Sequence, residues 1–195
     1  NKPLSLWARQ KTRDLNNIRV STFHSLCYEL LEPTGLSAEP LEKFDENVTC
    51  LLANSSLIKS HFDFIVVDEF QDFEKDWFDI IRSLLRDDSS KILLLSDCNQ
   101  NIWGRSEIET EGFTKVDLNK ILRNTHWISK SSEAYYSGIP FECVGPVGQE
   151  IQIIASGDNI TDMERAIRRL QNEGISLQDI SVLTDFNIQE KVKLE

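Results

Sequence analysis

The densest chemistry in this 195-residue chain lies in the run Phe62-Asp63-Phe64-Ile65-Val66-Val67-Asp68-Glu69-Phe70-Gln71-Asp72. Four apolar residues make a strand-length stretch and deliver two adjacent acids at its carboxyl end, where open α/β sheets place their ligands. Asp68 there suits a Mg²⁺ ion, held directly or through water, that neutralises charge on phosphates. Glu69, one residue on, is placed to orient or deprotonate an attacking water. A bare Asp-Glu pair is equally at home as carboxylates opening a helix, where the dipole welcomes them. Gln71 and Asp72 complete a DExQD pattern behind the strand and favour the chemistry of a nucleotide hydrolase.

Other residues have plain readings. Gln100, in a polar turn three residues after Asp97, can bond backbone, and Arg123 near the start of a helix can be a surface arginine. Trp103 can be a core residue, and His24 can be a hydrogen-bonded structural histidine. A metal-dependent nuclease built on Asp63, Asp68, Glu69 and Asp72 lacks the second acidic cluster and nearby lysine of a two-metal site.

The elements that must position these groups alternate strand-like and helix-like runs, the pattern of an α/β fold with a mainly parallel sheet flanked by helices. Arg19–Thr22 reads as a short strand. Phe23–Leu31 reads as a helix stopped by Pro33 and Gly35. Leu41–Leu52 has helical spacing. Phe64–Val67 and Ile92–Leu95 read as strands buried on both faces, with a helix over Trp77–Leu85 between them. Thr125–Tyr136 reads as helix and Phe141–Gln149 as a linker. A βαβ pattern then follows: Glu150–Ala155 as strand, Asp162–Glu173 as helix with Asp158 or Thr161 as cap, and Ile180–Leu183 as strand.

Composition narrows the classes. Lys and Arg number 21 against 32 Asp and Glu, a net charge of −11, which argues against a sequence-blind nucleic-acid coat but permits an enzyme gripping a strand in a local groove. The apolar runs are too short to span a bilayer, and no signal peptide shows at the start. Four scattered cysteines, Cys27, Cys50, Cys98 and Cys143, form no CxxC pair and suit free thiols in a cytoplasmic protein.

The ordered motifs resemble those of superfamily 1 DNA helicases of the UvrD/Rep type. Val20-Ser21-Thr22-Phe23-His24-Ser25-Leu26-Cys27 is similar to the family's TFHSL motif, Phe62–Asp72 to its DExQD motif and Ser96–Trp103 to its GDxxQSIY motif. Leu118–Thr125 is similar to its LxxNYRS motif, and Asp179–Thr184 to its DIAVLxR strand. The resemblance implies a RecA-like fold in two partial lobes, residues 1–123 and 124–195. It implies ATP and Mg²⁺ as cofactors, with Asp68 and Glu69 serving the metal and the water. Asp97, Gln100 and Arg123 are implied on the nucleotide side, Gln100 as γ-phosphate sensor and Arg123 as an arginine finger. Thr22, Phe23, His24 and Trp103 are implied contacts to single-stranded DNA or a DNA junction.

Departures from the family pattern are equally visible. No GxxxxGK[ST] loop occurs in the sequence, so the chain by itself is expected not to hydrolyse ATP, while its parent is expected to be an ATP-dependent translocase or helicase. The short span from Leu26 to Phe64 leaves no room for the family's large insertion subdomain. Ser96 replaces a glycine, Ile121-Leu122 replaces Asn-Tyr, and Arg105 stands where many members carry a second stacking aromatic. The alternative expectation is a non-catalytic RecA-like module that binds a partner or nucleic acid.

Overall fold

The computed structural model describes residues 2–36, 39, 43–58, 61–154 and 159–183. The chain divides into two compact units, residues 1–116 and 117–195.

In the first unit, α1 (Lys2–Lys11) precedes α2 (Phe23–Leu31). Thr22 caps α2, its hydroxyl accepting the Ser25 N–H at 3.2 Å, which satisfies a donor that the first turn leaves orphaned. A 3₁₀ turn at Glu32–Thr34 and a left-handed Gly35 end it. Next comes α3 (Phe44–Ala53), which buries Phe44, Val48 and Leu51. The buried Asn47 side chain accepts from the Glu39 N–H at 2.7 Å and donates to the Glu39 carbonyl at 2.9 Å, so a polar group inside the core is paired at both ends. Positions 41 and 42, where the helical spacing was expected to begin, lie outside the described residues.

Strand β1 (Phe64–Val67) pairs in parallel with β2 (Lys91–Leu94), Ile65 opposite Ile92 and Val67 opposite Leu94. Helix α4 (Lys75–Ser83) is their crossover, as a parallel pair requires. Its Trp77, Phe78, Ile80 and Ile81 recur at helical spacing and are buried, with Leu84 just beyond. They form one core with Cys27, Leu30 and Leu31 of α2, Phe44, Val48 and Leu51 of α3, and Val67, against which Ile65, Ile92 and Leu94 pack. Burial pushes the Cys27 thiol up to about 12.

Three sequence expectations for this unit need correction. The two strands are not buried on both faces: Phe64, Val66, Leu93 and Leu95 stay exposed. Successive side chains point to opposite faces of a strand, and only the face carrying Ile65, Val67, Ile92 and Leu94 meets the helical core. The second strand spans Lys91–Leu94 rather than Ile92–Leu95. Residues 19–22 form no strand, the chain there running irregularly into the Thr22 cap.

In the second unit β3 (Lys120–Ile121) pairs in parallel with β4 (Glu142–Cys143), and α5 (His126–Ser132), capped by Thr125, lies between them. The stretch expected to be a linker, Phe141–Gln149, therefore supplies a strand. Its Gly145 is required by a close backbone approach, for a Cβ there would stand 2.1 Å from the Asn124 carbonyl oxygen. Helix α6 (Asn159–Asn172) forms as its spacing indicates. Position 158, offered as its cap, lies outside the described residues. The strands expected at 150–155 and 180–183 are absent among the described residues: positions 150–154 and 180–183 carry no strand pairing. Ile153 and Leu183 are 91% and 94% exposed, and an apolar run becomes a strand only where a neighbour takes its backbone groups.

Candidate functional site

The end of β1 turns sharply. Asp68 follows the last strand residue and its Oδ1 accepts the Glu69 N–H at 3.1 Å. Glu69 has φ of 54°, the single left-handed non-glycine among the described residues, a conformation that a Cβ disfavours and that surrounding structure must hold. A 3₁₀ turn at Phe70–Asp72 follows. The holding contacts are visible: Phe70 is buried, and its N–H donates to the Leu95 carbonyl at 2.8 Å. Leu95 N–H in turn donates to Val67 at 2.9 Å.

A second polar turn leaves β2. Asp97 caps the 3₁₀ turn Cys98–Gln100, Oδ1 accepting the Asn99 N–H at 3.0 Å and Oδ2 accepting from Gln100 Nε2 at 2.7 Å. Gln71 spans the two turns. Its Nε2 donates to Glu69 Oε2 at 2.6 Å, and its Oε1 accepts the Asp97 N–H at 2.9 Å. Glu69, Gln71, Asp97 and Gln100 thus form one hydrogen-bonded chain at the carboxyl end of two parallel strands, with Asp68 at its start.

This geometry bears on metal binding. Among the described residues no three His, Cys, Asp or Glu side chains converge as a cation cage. Mg²⁺ seldom uses such cages; it keeps several waters and takes one or two carboxylates together with substrate phosphates. The exposed hard-oxygen donors of Asp68 and Glu69 fit that mode. Asp63 does not join them. It precedes β1 at the opposite end of the strand from Asp68 and pairs with Arg86 at 3.0 Å. Asp72 Oδ1 is buried with no hydrogen-bond partner.

The residues expected to meet DNA fall into two places. Trp103 is 68% exposed, as is the neighbouring Ile102 at 81%. They stand on a small loop closed by Asn101, whose side chain donates to the Arg105 carbonyl at 2.8 Å and accepts its N–H at 3.0 Å. Thr22 is engaged as the α2 cap. Phe23 stacks on Trp77 with centroids 4.9 Å apart, and His24 stacks on Phe44 at 4.0 Å, so both are partly buried in an aromatic cluster. Burial, with the Arg105 guanidinium adding to it, lowers the His24 pKa. Arg123 belongs to the second unit, exposed in the bend between β3 and Thr125.

Residues 47–119 match the family model of the UvrD/REP helicase N-terminal domain. The chain thus carries a segment similar to that domain. That segment runs from within α3 to just short of β3 and takes in Asp68, Glu69, Asp97, Gln100 and Trp103, while Thr22, Phe23, His24 and Arg123 lie outside it. Among curated proteins none matches the chain. The observed architecture of the matched segment is a parallel strand pair with helices. No helix among the described residues is long and apolar enough to cross a membrane.

Two residues inside the matched segment make contacts that sequence reasoning missed. Gln71 counted only as a letter of DExQD; its link to Asp97 spans 26 residues and no local pattern announces it. Arg105 counted as a lost aromatic, whereas its guanidinium lies over Trp77.

Proposed function

We propose that this chain is part of an ATP-dependent translocase or helicase acting on single-stranded DNA or a DNA junction, with residues 1–123 and 124–195 as parts of two RecA-like lobes. The observation that carries this reading is the Glu69–Gln71–Asp97–Gln100 hydrogen-bond chain at the carboxyl ends of β1 and β2, inside the segment similar to UvrD/REP helicases. In it Asp68 and Glu69 hold Mg²⁺, which when bound supplies charge neutralisation at the phosphates. Glu69 keeps one oxygen on the Gln71 amide and uses the other to orient or deprotonate water. Asp97 and Gln100 face the nucleotide, and Arg123 serves as the arginine-finger-like cation that stabilises developing charge. Thr22, Phe23 and His24 line the strand path, and Trp103 offers its exposed ring to a base, a contact of about 1–3 kcal/mol.

The test is ATP hydrolysis, with and without single-stranded DNA, by a longer polypeptide joining a Walker A loop to this chain, beside its Glu69→Gln variant. The expected result is DNA-stimulated turnover that falls about a hundredfold or more in the variant. Absence of turnover from a folded long form would replace this reading with the non-catalytic binding module.

A further inference from the structure

The DExQD glutamine performs no chemical step in the reading above, yet its amide is the side-chain bridge between the turns that leave β1 and β2. Its two ends do different work: Nε2 donates to Glu69 Oε2, and Oε1 accepts the Asp97 N–H. A neutral amide supplies both a donor and an acceptor on one planar group. Glutamate here offers acceptors alone and sets a like charge against Glu69. The Asp97 turn continues to the exposed loop, for Gln100 N–H donates to the Asp97 carbonyl at 2.9 Å and Ile102 N–H to the Gln100 carbonyl at 2.8 Å. Glu69 itself is in the left-handed region, so its carboxylate is aimed by a backbone that needs support from outside the turn.

We infer that Gln71 is a positioning residue that couples the Glu69 carboxylate to the Asp97–Gln100 turn, so that a change at Glu69 is transmitted to Gln100 and to the loop bearing Trp103. The inference rests on the nucleotide-site reading for its purpose, but the coupling itself is a property of this chain. The competing account is that the backbone bonds from Phe70 to Leu95 and from Leu95 to Val67 fix both turns without the amide.

A double-mutant cycle read by ¹⁵N NMR on the chain separates the two. Glu69→Ala is expected to shift the Asp97 and Gln100 amide resonances in the otherwise native chain, and to leave them in place when Gln71→Ala is already present. Loss of the bridging bond should also speed Asp97 amide exchange about fivefold in Gln71→Ala. Gln71→Glu keeps an acceptor for Asp97, so that amide is expected to stay protected. Equal responses with and without the Gln71 amide, or no response in either, overturn the inference. These readouts need no turnover: if Glu69→Gln leaves ATP hydrolysis unchanged, the motor reading fails while the coupling stands or falls on the cycle.

Discussion

The Arg105 guanidinium lies over the Trp77 indole, 4.8 Å from the ring centroid, and forms an ion pair with Glu74. Trp77 is buried in α4, and its other neighbours include Phe23 and His24, at 4.9 and 5.4 Å. One ring therefore joins the loop that displays Trp103 to the segment that opens α2. A position where the resembled family often places an aromatic instead carries a cation, and this chain uses it to brace the loop from beneath.

Arg105→Ala is expected to destabilise the chain by about 1–2 kcal/mol, read as a drop in urea midpoint, because a largely desolvated cation–π contact is lost. The half-exposed Glu74 partner contributes little to that figure. Arg105→Lys keeps the charge but not the planar face, and should recover only part of the loss. Full recovery by lysine would assign the stabilisation to the ion pair instead.

Gly145→Ala is expected to cost about 2–3 kcal/mol in the second unit, since the new methyl meets a backbone carbonyl rather than a side chain that can rotate away. Unfolding followed through Trp127, the tryptophan of residues 117–195, checks this. An unchanged midpoint would mean that Gly145 does not approach the Asn124 carbonyl as described.

His24 should make stability depend on pH. Burial holds its pKa below the ordinary value of 6.5, so between the lowered native value and 6.5 the unfolded chain binds the extra proton. Stability from this residue is then complete above 6.5 and lost as pH falls below it. Urea midpoints between about pH 7.5 and about pH 5.5 should decline more for the native chain than for His24→Phe. Identical slopes would show that the ring is solvated in solution.

By itself the sequence determined the pieces whose causes are local. Alternating apolar and helical periods located α2, α4, β1 and α6, because side-chain period and capping act within a few residues. The same locality made the place of Asp68 and Glu69 at the end of β1 legible, since a strand followed by two acids needs no distant partner to be recognised. Tertiary structure alone decided which strand faces are covered. Phe64 and Val66 read like Ile65 and Val67, but only the latter pair has helices to pack against. It alone turned the stretch around Gly145 into β4 and its flanking turn, because a strand this short exists only through its partner. It alone placed Gln71 between Glu69 and Asp97, a contact closed by the parallel pairing of two strands that a helix keeps apart in the chain.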